Sequence, residues 1–153
     1  MMTMPARTSK QRKRDVLDRL EHDVDAWVAT ADNVTGTPYL VPLSFLWDGT
    51  TALLATPASS PTGRNLRAGN TVRLGIGPTR DVVLIEATVH ALAIREISQE
   101  VGDAFAVKTG FDPRRESGTY LYFRATPQRL QAWREANELD GRDLMRDGKW
   151  LVE

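Results

Sequence analysis

Between residues 25 and 134 the apolar side chains recur at every second position in one segment after another. That alternation limits the fold more than any other feature of the chain, because only a strand puts residues i, i+2 and i+4 on one face. Thr71–Gly77 places Val72, Leu74 and Ile76 on one side and Arg73, Gly75 and Gly77 on the other. In Asp81–Ile94, Val83, Ile85, Ala87, Val89 and Ala91 face inward while Glu86, Thr88 and His90 face out. Tyr39–Trp47 reads as one strand with Tyr39, Val41, Leu43, Phe45 and Trp47 on one face and Leu40, Pro42, Ser44 and Leu46 on the other. Asp25–Ala31, Thr51–Thr56, Thr119–Thr126 and an extended piece near Arg129–Arg134 supply the rest. Turn formers separate them at residues 32–37, at Asp48-Gly49 and across 110–118. Helical spacing is confined to Gln11–Asp23, where Val16, Leu17 and Leu20 recur, to a second segment from Ile97 to Lys108, and to a short stretch after Ser60. About six strands with short covering helices predict a mainly β chain closed into an antiparallel barrel.

Composition narrows the classes of function. A chain of 153 residues with 41% hydrophobic content fits one domain with its own core. Residues 1–14, with Arg7, Lys10, Arg12, Lys13 and Arg14, read as a flexible basic tail, and 15–153 as the single domain. A formal net charge of +0 supplies no overall field for nucleic acid or an anionic membrane, so neither is expected as a partner. With no cysteine, disulfides, thiolate catalysis and Cys-based metal sites are excluded, and the cytoplasm is the expected compartment. No apolar run approaches the roughly 20 residues of a membrane-spanning helix.

The stretch that carries chemistry runs from Thr56 to Asn70. Ser60 suits the N-cap of a helix, Pro61 its first position, and Gly69 a left-handed end. A helix beginning there presents unpaired N–H groups and a partial positive charge. Ser59, Ser60 and Thr62 add hydroxyl donors, and Arg64 and Arg67 add full charge, which together are the parts of a phosphate site. A capped connector helix with solvated arginines would show the same residues.

Trp27-Val28-Ala29-Thr30-Ala31, then Gly36 to Gly49 with Val41-Pro42 inside it, then Thr56 and Arg64-Asn65-Leu66 resemble the pyridoxamine 5'-phosphate oxidase-like flavin-binding split-barrel family. The resemblance runs from about Arg14 to Arg134. It implies a six-stranded antiparallel split β-barrel of Greek-key type and a homodimer with FMN, or the related deazaflavin coenzyme, at the subunit interface. Carried over by position, Pro42, Leu43 and Ser44 line the isoalloxazine ring, and Thr56, Ser59, Ser60, Thr62, Arg64 and Asn65 surround the ribityl phosphate. Many relatives have a lysine three residues before the asparagine, where this chain has Thr62. Arg64 or Arg67 would then replace that charge. Trp133 would close over a flavin of the partner subunit or pack the last strand. The C-terminal polar segment, with Trp150 and Leu151, would dock on a surface, that of the partner subunit being one choice.

Other signals lead elsewhere. Gly75-Ile76-Gly77 lies in a strand and lacks the third glycine and following helix of a dinucleotide fingerprint. His22 and His90 stand alone on a helix and a strand exterior, so no metal site is expected. No Ser/His/Asp set stands out as a nucleophile system. The resemblance implies a flavin-dependent oxidoreductase acting on a small molecule, in which the cofactor supplies the hydride chemistry. The alternative is a non-enzymatic flavin-binding or structural dimer module of the same fold.

Overall fold

The computed structural model describes residues 4–153. Its strands are β1 (Asp25–Ala31), β2 (Pro38–Ser44), β3 (Leu46–Trp47), β4 (Ala52–Pro57), β5 (Thr71–Ile76), β6 (Val82–Ala93), β7 (Tyr120–Trp133), β8 (Asp143–Arg146) and β9 (Lys149–Trp150). The helices are α1 (Ser9–His22), α2 (Pro61–Gly69) and α3 (Gln99–Thr109). All pairings are antiparallel, in the order β2-β1-β5-β6-β7-β4-β3, with β8 and β9 continuing from β7. The sheet curls until β2 touches β4 without pairing with it. That unpaired seam makes the fold a split barrel.

The alternation places the core as expected over most of its length. Val28, Val72, Leu74, Ile76, Val83, Ile85 and Val89 lie inside with Phe123, Ala125 and Leu130. Ala91 departs from the expectation and is exposed. Beyond Val89 the strand instead gives Leu92 to a second apolar cluster on the opposite face. There α3 lays Phe105 on Tyr122, edge to face at 5.5 Å, over Leu53 and Ala55.

Three elements differ from the sequence reading. Tyr39–Trp47 is not continuous: Phe45 leaves the strand, donates its N–H to Val24 O and buries its ring completely. Lys108 holds the break, with Nζ 3.2 Å from Phe45 O and 4.3 Å from the centre of the Phe45 ring. Arg129–Arg134 is not a separate strand but the end of β7, which passes a bulge where Glu86 faces Arg129 and Ala87 faces Pro127. A bulge adds one residue to one strand and bends it without breaking the ladder. The C-terminal segment forms the β8–β9 hairpin, so the sheet has nine strands where six were expected. Trp150 docks on α1 of its own chain, under Lys13 Nζ at 4.7 Å.

The N-terminal segment is also ordered where a tail was expected. Residues 1–3 of that tail lie outside the described residues. From Arg7 onward, however, the chain is tied down. Thr8 and Gln11 form a reciprocal capping box that starts α1 at Ser9. Arg12, only 3% exposed, donates from Nη1 to the carbonyls of Ala132, Glu138 and Gly141. Arg7 makes a two-pronged contact with Glu138 through Nε and Nη2 at 3.0 and 2.8 Å. Glu138 also accepts the backbone N–H groups of Arg7 and Arg134. Arg7 and Arg12 are thus spent on fastening α1 across the barrel end and the 132–141 turn, and Lys13 on Val152 O and the Trp150 ring.

Candidate functional site

The site is built at the seam. Strand β2 is an edge strand, paired only with β1. Because Phe45 N–H bonds toward β1, alternation sends the backbone groups of Val41 and Leu43 the same way and those of Leu40, Pro42 and Ser44 outward. Proline has no N–H, so it is tolerated where the ladder asks for none. The free edge therefore offers the N–H groups of Leu40 and Ser44 beside three carbonyls. Ser44 Oγ is engaged with Asp25 at 2.7 Å. Such an edge can take the alternating donors and acceptors of a flat heterocycle.

Across the seam β4 runs into α2. The strand ends at Pro57, and Thr56, 5% exposed, places Oγ1 3.2 Å from Ser60 Oγ. Ser60 caps the helix by accepting from Gly63 N at 3.0 Å, while its own hydroxyl proton goes to Pro57 O at 2.8 Å. The Ser60 hydroxyl is thus committed to the fold. Arg64 N donates to Ser60 O and Pro61 has no N–H, which leaves Thr62 N–H as the first-turn backbone donor for a ligand. Leu66 roots the helix in the core with no exposed surface. Asn70, at φ 59°, takes the left-handed end position that Gly69 was expected to hold.

The two arginines fold back over the same turn. Arg64 Nη1 donates to Ser59 O, and Arg67 Nη2 to Ala58 O at 2.6 Å. Both guanidiniums stay exposed, so charge is available above the helix start. Asn65 Nδ2 donates to Thr30 Oγ1 at 3.1 Å and pins α2 to β1. Thr62 is buried at 3% exposed and brings no charge. Gly63 is needed for close approach: a Cβ there would lie 2.3 Å from Pro57 O. Gly63→Ala should therefore push the helix start away from β4 and cost about 1–3 kcal/mol. Chemical denaturation of the purified variant measures this, and an unchanged midpoint would refute the contact.

The sequence-derived residues fall into three places. Thr56, Ser59, Ser60, Thr62, Arg64 and Asn65 come together around the start of α2. Pro42, Leu43 and Ser44 lie toward the other end of the β1–β2 ladder, where Ser44 faces Asp25 while Thr30 faces Tyr39. Trp133 is at the far end of β7, paired with Val82, whereas Thr56 faces Leu121 near its beginning. One chain does not bring Trp133 to its own α2. Sequence reasoning missed Tyr39 and Asp32, which face α2 across a groove. The Asx turn at Asp32 was the available signal: its Oδ1 accepts Val34 N at 2.9 Å and Thr35 N at 2.8 Å.

A second surface accompanies the seam. Cross-strand registers align Pro42, Trp27, Gly75 and Leu84 in one row over the outer face of four strands. Trp27 is 54% exposed and Leu40, two residues along, 59%. Gly75 leaves a shallow floor between Trp27 and Leu84.

The fold is thus a split barrel with an open edge strand on one side of the seam and a capped, arginine-bearing helix on the other. Residues 14–134 match the family model of pyridoxamine 5'-phosphate oxidase, and the chain belongs to that family. No curated protein matches at a significant level. Among solved structures, a FAD-binding protein from Mesorhizobium loti is 18% identical, with 77% of this chain and 89% of that one covered and a TM-score of 0.61. An F420 reductase is 15% identical over 74% of this chain and 93% of that one, at 0.60. The heme storage protein HutZ from Vibrio cholerae is 15% identical over 78% and 93%, also at 0.61. These likenesses show the fold.

Proposed function

We propose that the protein is an oxidoreductase that holds a flavin, or the related deazaflavin coenzyme, in the seam between β2 and α2. The observation that carries this reading is the pairing of two complementary parts across one gap. The free edge of β2 suits a planar ring with alternating donors and acceptors, and the start of α2, with Thr62 N–H, Arg64 and Arg67, suits a phosphate. The donor set fits such a cofactor without a protein acid or base. The bound cofactor would supply the hydride transfer. The chain's own residues bind and orient. Leu40 and Ser44 N–H fix the ring edge, Asn65 holds the helix at its distance from β1, and Arg64 and Arg67 balance the phosphate charge.

A second copy of the chain completes the site in this reading. The exposed row of Trp27, Pro42, Gly75 and Leu84 is the face it would cover, because contiguous apolar surface at a cofactor edge marks an interface. Trp133 would then act from the partner. Light scattering should give twice the monomer mass, and a monomer at tens of micromolar would contradict this part.

One observation favours a second reading, a non-enzymatic binding module of the same fold. Thr62 is neutral and buried, and the Ser60 hydroxyl is spent on the cap, so the anion site has few donors. Native mass spectrometry of the protein as isolated, followed by release of any bound small molecule, tests both readings. A flavin or deazaflavin that turns over with a reductant and an acceptor supports the enzyme. A bound cofactor without turnover supports the module. A different ligand class sinks both.

A further inference from the structure

We propose that Lys108, on α3, is a positioning residue for the cofactor site. Its ammonium group pins the vertex of the seam and so sets where the free edge of β2 meets the ring. This rests on the flavin reading above and adds to it a residue that shapes the site from outside.

The β2–β3 segment draws the two edges of the sheet together. As far as Ser44 it pairs with β1, where Ser44 faces Asp25, and from Leu46 it pairs with β4, where Leu46 faces Leu53. Phe45 is the single residue between the two pairings, so the barrel is closed there. Away from that vertex β2 and β4 touch without a ladder, and at the far end a groove of about 360 Å³ lies between Tyr39 and α2. The seam is therefore a wedge, narrow at Phe45 and open toward α2. Ser44, which supplies one of the two free N–H groups of the edge, adjoins the vertex. A rotation of the backbone at Phe45 is carried straight to it.

Lys108 controls that backbone. A hydrogen-bonded antiparallel pair exchanges two bonds. Phe45 gives its N–H to Val24 O, but its carbonyl accepts from Lys108 Nζ at 3.2 Å. The same Nζ lies 3.4 Å from Leu20 O, in the last turn of α1, where helix carbonyls lack partners, and 4.3 Å from the centre of the Phe45 ring. One ammonium, with three donors on a single centre, thus ties α1 and α3 to the vertex. Leu20 and Phe45 have no exposed surface, so water does not stand in for it at either carbonyl. The alternation from Tyr39 to Trp47 encodes no break at Phe45. The break depends on a donor 63 residues away in the chain.

The test combines titrations of the apo-protein with residue-resolved amide hydrogen exchange. The ligands are FMN, the deazaflavin coenzyme and riboflavin, which carries the ring without the phosphate. Lys108→Met keeps the apolar stem and removes both hydrogen bonds. It should weaken the cofactor that the unmodified protein binds by roughly tenfold, the upper end of what one hydrogen bond is worth, and riboflavin by the same factor. Lys108→Arg keeps the charge and the donors and should restore affinity to within about threefold. Without any ligand, exchange at the Phe45 amide should be at least tenfold faster in Lys108→Met, with Ile85, inside the β5–β6–β7 ladder, unchanged. If Lys108→Met does not fold, Lys108→Gln, with a neutral and shorter donor, takes its place and should show the same pattern. Unchanged affinity in a protein that binds a flavin would overturn the proposal and leave the flavin reading intact. Weakening of FMN without weakening of riboflavin would overturn it as well, since the effect would lie at the phosphate. Unchanged exchange at Phe45 would show that Lys108 does not pin the vertex. Failure of the unmodified protein to bind any of the three ligands would remove the flavin reading and the positioning role together.

Discussion

Replacing Glu138 with alanine should destabilise the protein by about 3–5 kcal/mol, the cost of removing one partner from a buried ion pair. Glu138 is 2% exposed and accepts four hydrogen bonds, three from Arg7 and one from Arg134 N–H. Its removal leaves the Arg7 guanidinium, whose side chain is 10% exposed, with Asp15 at 3.0 Å and Asp81 at 3.8 Å but without its bidentate partner, and beside the buried Arg12. For a chain of this size a loss of 3 kcal/mol lowers Tm by roughly 6–12 °C. A fall of less than 2 °C would show the cluster to be passive.

The same carboxylate gives a pH signature. The Arg7 hydrogen bonds outweigh burial and hold Glu138 at about 2 instead of its ordinary 4.5. A depressed carboxylate contributes stability that is complete above the unfolded value and is lost as pH falls toward the folded one. The loss should therefore run from about pH 4.5 to about pH 2 and amount to roughly 3 kcal/mol. Urea denaturation across that window measures it. In Glu138→Gln the pH slope from this group should disappear, and a slope equal to that of the unmodified protein would assign the acid sensitivity elsewhere.

Leu66→Ala should be the second large effect, at about 2–5 kcal/mol, because it opens a cavity where α2 enters the core. Its consequence should be local as well as global. The helix whose first turn forms the anion cradle loses its anchor, so cofactor affinity should fall at least tenfold at a temperature where the variant is still folded. Leu130→Ala is the control. That residue is equally buried but faces Ile85 and Met145 at the other end of β7. It should lose comparable stability and keep its affinity. Equal loss of affinity in both variants would mean that binding follows global stability and not the position of α2.

The β architecture was legible because most strands bury one face only. Val72, Leu74 and Ile76 announce both the strand and its inward side. The start of α2 was legible for a different reason: Ser60 and Pro61 encode cap geometry within four residues. The rest depends on contacts distant in sequence. Arg7 and Glu138 are 131 residues apart, so the basic residues before Asp15 read as a tail until the partners of Arg7 and Arg12 are known. The break at Phe45 is set by a bond to Val24 and by Lys108, neither of which marks the local alternation. The groove is likewise formed by two segments some 30 residues apart. At Ser60 the sequence shows the cap residue, and the bond from its hydroxyl to Pro57 O at 2.8 Å becomes visible only in the fold.

The central claim is that the seam between the free edge of β2 and the start of α2 holds a flavin-type cofactor. Stoichiometric titration of the apo-protein with a flavin or the deazaflavin coenzyme, read by calorimetry, tests it most directly. The account expects one molecule per chain at micromolar or tighter affinity, with binding weakened by Leu66→Ala and not by Leu130→Ala. No heat and no saturable binding with any of these cofactors at 100-fold excess would contradict it.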